Sequence, residues 1–216
     1  MLSSPVARQQ HTLVCIAAVL IYLCAFFFPL LLPGYGRLYQ SGYAMLFVSL
    51  AFTLPCTLLL WRQYKRNYSF LPLGSFNIRY FLIGLAAIAV LNVIWQFIGI
   101  REEWIESLRG FPPSVILGLI FAIGFSAPFC EELIFRGFLL NAFLQWGSVA
   151  RQLGIVVTSV VFAILHMQYQ APSTFIWLFT FSALLCVIRM SSGSLLMPML
   201  LHMLNNVLAL CLTFAE

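Results

Sequence analysis

Cys130-Glu131-Glu132-Leu133-Ile134-Phe135-Arg136-Gly137 puts three full charges within six residues. The surrounding segment is otherwise apolar and long enough to cross a membrane. The chain has eleven basic and six acidic side chains, and these three alone fall inside a predicted span. Charge at membrane depth costs roughly 2.5–3.5 kcal/mol per residue on insertion scales. Residues kept there at that cost face a bundle interior or a wet cavity. The stretch therefore points both to a membrane-embedded fold and to the place where its chemistry lies.

The rest of the chain agrees. Of its 216 residues 62% are apolar and 8% charged, against about 25% charged in a soluble domain, and the mean hydropathy is +1.01. The reading is all-α, a polytopic transmembrane helix bundle. Apolar runs predict spans at 12–32, 43–61, 80–100, 114–146, 153–167, 172–188 and 195–214. The fourth is too long for a straight crossing, and Pro128, after Gly124 and Ser126, is expected to kink it. The run from Thr12 to Leu32 exceeds the apolar core of a signal peptide and reads as a retained first helix. One compact membrane domain is expected, with helices and a connector over 1–112 and a core over 113–216.

Residues 101–112 are too polar to span. Trp104, Ile105 and Leu108 can share one helical face, with Glu102, Glu103, Glu106 and Arg109 elsewhere. That suits a short interfacial helix, ended by Pro112 and Pro113. Trp61, Trp104 and Trp146 read as interface anchors. Asn92 and Gln96 read as packing contacts within the third span, and Ser192 or Ser194 as the cap of the last helix. Arg8, Arg62, Lys65, Arg66, Arg79, Arg151 and Arg189 fall on one side, and Arg37, Arg101 and Arg109 on the other. The positive-inside rule then puts the N-terminus in the cytoplasm, and the short loops suit a bacterial inner membrane.

The inventory excludes several functions. There is no Asp, so an aspartate-dyad protease is ruled out, and the single Lys65 sits in a loop, against a Ser-Lys dyad. No basic face with stacking aromatics suggests nucleic acid. The six Cys lie in apolar runs without a C-x-x-C pair and read as small buried hydrophobes. His11 precedes the first span, whereas His166 and His202 lie within spans.

Three patterns occur in order: E-E-x-x-x-R at 131–136, F-x-x-x-H at 162–166 and H-x-x-x-N at 202–206. Residues four apart share a helical face, so Glu132 sits over Arg136, Phe162 over His166 and His202 over Asn206. Glu132 and Arg136 form a fixed ion pair that supports the site. Glu131 points about 100° away and is left for proton transfer. At 1.5 Å per residue, Glu131 lies roughly 24 Å above Gly147, His166 roughly 20 Å above Leu153, and Asn206 roughly 18 Å above Ser194. Three helices thus bring polar groups to similar depths.

A carboxylate, two imidazoles and a carboxamide in a dry bundle suit hydrolysis. Glu131 with His166 can hold and deprotonate a water, while His202 and Asn206 can donate to a tetrahedral oxyanion. Glu and two His are also reasonable zinc ligands. H-E-x-x-H is absent, however, and the donors come from separate helices, so bound zinc is the weaker alternative to no cofactor. Two other classes fit the same residues: a non-catalytic scaffold or immunity protein that binds a peptide, and a proton-coupled transporter relaying through Glu131 and His166.

The ordered motif set resembles the CAAX-protease and bacteriocin-processing (CPBP) family of intramembrane endopeptidases. The likeness rests on Glu131, Glu132 and Arg136 followed by Gly137, on Phe162 and His166, on His202 and Asn206, and on the Ser-Gly-Ser-Leu run at 192–195. It covers roughly residues 113–214. It implies a glutamate-dependent, metal-free protease in which Glu131 and His166 activate water while His202 and Asn206 form the oxyanion site. The partners it implies are the bilayer and a membrane-associated protein or peptide substrate. Eukaryotic members trim prenylated tails. Bacterial members act in peptide maturation, bacteriocin immunity or envelope processing, where a prenylated substrate is less expected.

Overall fold

A computed structural model describes residues 4–98, 100 and 102–215. Among these no strand occurs. In hydrocarbon a backbone must satisfy its own polar groups, and an α-helix does so within one segment. Among the described residues seven helices are long and apolar enough to cross a membrane: α1 (Pro5–Leu31), α3 (Ala44–Asn67), α4 (Ile78–Ile98), α6 (Pro113–Leu144), α7 (Ser148–Leu165), α8 (Pro172–Ser192) and α9 (Leu196–Phe214). Two short helices join them, α2 (Tyr35–Gln40) and α5 (Glu103–Leu108). Arg101, part of the expected connector, and Gly99, near the end of the third predicted span, lie outside the described residues.

The helix ends follow local chemistry. Proline opens α1, α6 and α8, where its missing N–H costs nothing. The Ser4 hydroxyl caps α1 by accepting from the Ala7 amide at 3.1 Å. Gly193, at φ 66°, ends α8 in the left-handed conformation that glycine adopts without a Cβ penalty. Ser194 is the cap of α9, its Oγ accepting from the Leu196 amide at 3.2 Å. Gly74, at φ 77°, brings the loop after α3 against this turn, and a Cβ there would meet Ser194 Cα at 2.8 Å.

Helices run past the apolar segments that predict them. The end of α3 includes Arg62, Lys65 and Arg66, which were expected in a loop. Arg189 lies in the last turn of α8 and is buried, so the three charges of α6 are not the only ones inside a spanning helix. His11 is not ahead of the first helix but within it. It is buried, with Nε2 2.6 Å from the Tyr64 hydroxyl.

The centre of the bundle is the second half of α6. Residues 132–139 are buried on every face, the mark of a helix enclosed by others. Around it pack α1, α3, α7 and α8, and α9 packs against Ala122–Glu131 just before it, while α7 lies along α8 and α8 against α4 and α9. The backbone of α6 is not uniformly α-helical. Ala122–Ser126 and Glu132–Leu139 are π-helical turns on either side of Pro128. Such wide turns are frequent at functional sites.

Glu102 departs from its expected place on a polar face. It is buried, and its carboxylate accepts from the amides of Gln170 (3.0 Å) and Ala171 (3.2 Å) and from the Thr174 hydroxyl. It thereby satisfies donors at the start of α8 that have no partner within that helix. Burial pushes the Glu102 carboxyl up, but these bonds outweigh burial and hold it below its ordinary value of 4.5. A depressed carboxyl stabilises the fold above its unfolded-chain value and loses that contribution as pH falls through its folded value. The stability gap between wild type and Glu102→Gln in detergent unfolding is expected to stay constant above pH 4.5 and to close below it. A gap unchanged down to about pH 3 would refute this assignment.

Candidate functional site

The site is built on α6, α7, α8 and α9. Glu132 is fully buried in the second π-helical turn. Its Oε1 accepts from Arg136 Nη1 at 3.0 Å and from His202 Nδ1 at 2.8 Å. Arg136, also fully buried, donates through Nη2 to the Ser182 carbonyl (3.1 Å) and hydroxyl (2.9 Å). Two partners therefore compensate a carboxylate whose isolated burial would cost several kcal/mol. A carboxylate only accepts, so His202 Nδ1 carries the hydrogen. The other ring nitrogen, Nε2, faces Glu131 Oε2 at 3.9 Å.

Phe162 holds the aromatic centre. Its ring lies 4.5 Å from that of His166, 5.9 Å from His202 and 5.3 Å from Phe135. The Arg136 guanidinium sits over it at 4.8 Å. Phe181 packs edge-on to His202 at 5.2 Å. Ring faces on several sides fix both imidazoles and keep the ion pair dry, a condition that strengthens every electrostatic contact inside.

His166 lies at the C-cap of α7, just past the helical residues. Its Nδ1 donates to the Phe162 carbonyl at 2.7 Å, because a carbonyl can only accept. In the neutral ring Nε2 then carries the lone pair. Tyr169 stacks parallel to His166 at 6.2 Å.

Glu131 and His166 line one cavity of about 400 Å³. Its other walls are mainly apolar and aromatic, among them Phe26, Phe27, Leu30, Met45 and Phe135, with hydroxyls from Tyr22, Ser49 and Thr53. Trp104 is part of the wall instead of standing only as an interface anchor. Glu131 keeps 19% side-chain exposure, whereas Glu132 has none. Adjacent carboxylates thus have different surroundings, one partly open to the cavity and one sealed.

Of the sequence-predicted residues, Glu131, Glu132, Arg136 and His202 form one connected cluster, and His166 reaches the same cavity as Glu131. Asn206 stands apart. Its Nδ2 donates to the Ile123 carbonyl at 3.0 Å, and its Oδ1 accepts from Asn205 Nδ2 at 3.4 Å. Asn205 Oδ1 in turn accepts from Asn92 Nδ2 at 3.1 Å, so Asn92 is the interhelical contact expected of it. Neither His202 nor Asn206 lines the cavity. Sequence reasoning missed Ser182 and Glu102, since neither falls in a motif. The one available signal for Ser182 was a lone hydroxyl in an apolar helix. Among the described residues no three His, Cys, Asp or Glu side chains are grouped to hold a metal ion.

Residues 112–208 match the family described as type II CAAX prenyl endopeptidase, Rce1-like. An uncharacterized 24.3 kDa protein of Escherichia coli is 42% identical over 98 residues, which is 45% of this chain and 45% of that protein. The match thus spans under half the length of this curated relative. No solved structure matches.

Glu132→Ala would leave the Arg136 guanidinium and His202 buried without their carboxylate. Removing one partner of a buried pair typically costs about 3–5 kcal/mol. Equilibrium unfolding in mixed micelles is expected to show a loss of that order, with Glu132→Gln milder. A loss within about 0.5 kcal/mol, as at an ordinary surface site, would show that the pair does not hold the helices.

Proposed function

We propose that this chain, which over residues 112–208 matches the Rce1-like family, is an intramembrane endopeptidase of that family. It hydrolyses a peptide bond of a membrane-associated protein or peptide substrate, with Glu131 as the base. The observation that carries this reading is that Glu131 and His166 line one cavity while the neighbouring Glu132 is fully buried. A partly exposed carboxylate sharing a cavity with an imidazole lone pair is what general-base activation of water needs.

In the proposed reaction, a water donates one hydrogen bond to Glu131 and another to His166 Nε2. Glu131 takes the proton as the oxygen attacks the substrate carbonyl carbon, and the carbonyl oxygen becomes the oxyanion. His202 Nε2 can donate to that oxyanion only as imidazolium, the state in which two carboxylates face two cations. Asn206 has one amide hydrogen left beyond its bond to Ile123. Its orientation is set by Asn205 and by the α6 backbone. Collapse of the intermediate breaks the C–N bond, and the protonated Glu131 returns its proton to the leaving amine. The chain supplies charge, orientation and a dry wall, and this route needs no cofactor. A substrate residue entering an apolar cavity of this size would itself be apolar or carry an apolar modification.

Glu131→Gln keeps the shape of the side chain and removes the base. Turnover by the purified protein in nanodiscs is expected to fall by about 10²–10⁴-fold, with helix content unchanged, and His166→Ala is expected to lose a comparable factor. Mass-spectrometric comparison of membrane peptides from cells with wild type and with Glu131→Gln should reveal the substrate as the species that accumulates with the variant. Wild-type-like cleavage by Glu131→Gln would end this mechanism.

A further inference from the structure

Glu102 lies outside the three motifs and outside the cavity wall, yet it is buried and fully engaged. Its backbone begins α5, with its carbonyl accepting from Ile105 (3.0 Å) and Glu106 (3.3 Å). Its side chain begins α8 through Gln170, Ala171 and Thr174. One residue therefore serves two helix starts, one by main chain and one by carboxylate. Between the α7 end and α8 lie residues 166–171, the loop that begins with His166. Within that loop a backbone bond runs from the Tyr169 amide to the His166 carbonyl, at 3.2 Å. Its far end is held by Glu102.

A second contact follows the same path. Trp104 of α5 meets Tyr169 edge-on at 5.6 Å, and Tyr169 stacks on His166 at 6.2 Å. Both Trp104 and His166 line the cavity. At its other end α5 is tied down by Arg109, whose Nε donates to the Thr213 carbonyl at 2.9 Å. The His166 imidazole is thus fixed from below by its bond to Phe162 and from beyond by α5.

We infer that Glu102 is a positioning residue for His166: its carboxylate clamps the 166–171 loop to α5 and so sets where the imidazole meets the cavity. The inference rests on the hydrolytic reading above and adds to it a residue that never touches substrate. A misplacement of about 1 Å at a reacting group can cost 10²-fold in rate, so a clamp two helices away acts on kcat without building the site.

The test uses the full chain in nanodiscs, as wild type, Glu102→Asp, Glu102→Gln and Glu102→Ala. Diethyl pyrocarbonate reports on His166, because His11 and His202 are buried, and mass spectrometry locates the label. Hydrogen exchange of peptides from 166–175 is read beside peptides from α6 and α9, which serve as the folding control. In Glu102→Ala, the amides of Gln170 and Ala171 are expected to exchange roughly tenfold faster, with His166 labelled severalfold faster and the α6 and α9 peptides unchanged. For the membrane peptide that Glu131→Gln fails to cut, kcat is expected to fall about 10²-fold with KM little changed. Glu102→Asp and Glu102→Gln, which keep an acceptor oxygen, are expected to fall between. Unchanged exchange and labelling overturn the clamp and leave the hydrolytic reading intact. A loosened loop with unchanged kcat overturns the positioning role. Cleavage by Glu131→Gln overturns the hydrolytic reading itself, and with it Glu102's bearing on catalysis, whatever the loop does.

Discussion

The structure depends on a single carboxylate with nowhere to go. Glu132 is sealed from solvent in the most enclosed helix, where an unpaired charge is not tolerable. It is made tolerable by Arg136 four residues along the same helix and by His202 from α9. Arg136 passes the tie on to Ser182 of α8. Three helices are thereby held at fixed height around one ion pair. Lipid tails compete evenly with side chains for apolar contact, so polar ties of this kind fix helix positions in a membrane more definitely than greasy packing does.

The same arrangement gives Glu131 its freedom. Because its neighbour absorbs the nearby cation, Glu131 is approached only loosely by His202, whose Nε2 lies 3.9 Å away. It stays partly exposed on the cavity wall. Two adjacent residues of identical chemistry are divided by a helical rotation of about 100° into one that holds the bundle and one that is open to a reactant. The cavity beyond is walled by aromatic and aliphatic side chains with few hydroxyls, which suits a guest already at home in the bilayer.

Much of this was legible in the sequence, for identifiable reasons. Seven spans could be read because each needs about twenty apolar residues and the punctuation between them is polar. Their ends were less legible. A helix does not stop where hydrophobicity stops, and long basic side chains reach outward from its last turns, as Arg62, Lys65 and Arg66 do at the end of α3. Spacing of four gave the Glu132–Arg136 pair and the Phe162–His166 contact. It did not give the bond between Glu132 and His202, which joins residues seventy apart. Nor did it show that Asn206 would donate to the Ile123 carbonyl. Glu102 was hidden because R-E-E-W-I-E has the composition of a wetted surface. Only the fold shows that one of its acids is drawn inside to meet unpaired amides.

The first π-helical turn of α6 spans Ala122–Ser126, and the carbonyl that receives Asn206 belongs to Ile123 inside it. A wide turn spaces its carbonyls differently from an ordinary one. The defect in the central rod is therefore also a notch into which the last helix is keyed. A regular rod offers the same outline at every turn and lets a neighbour slide up or down by one pitch at little penalty. The notch removes that degeneracy. It gives α9 one height, and so sets His202 level with the acid it must reach.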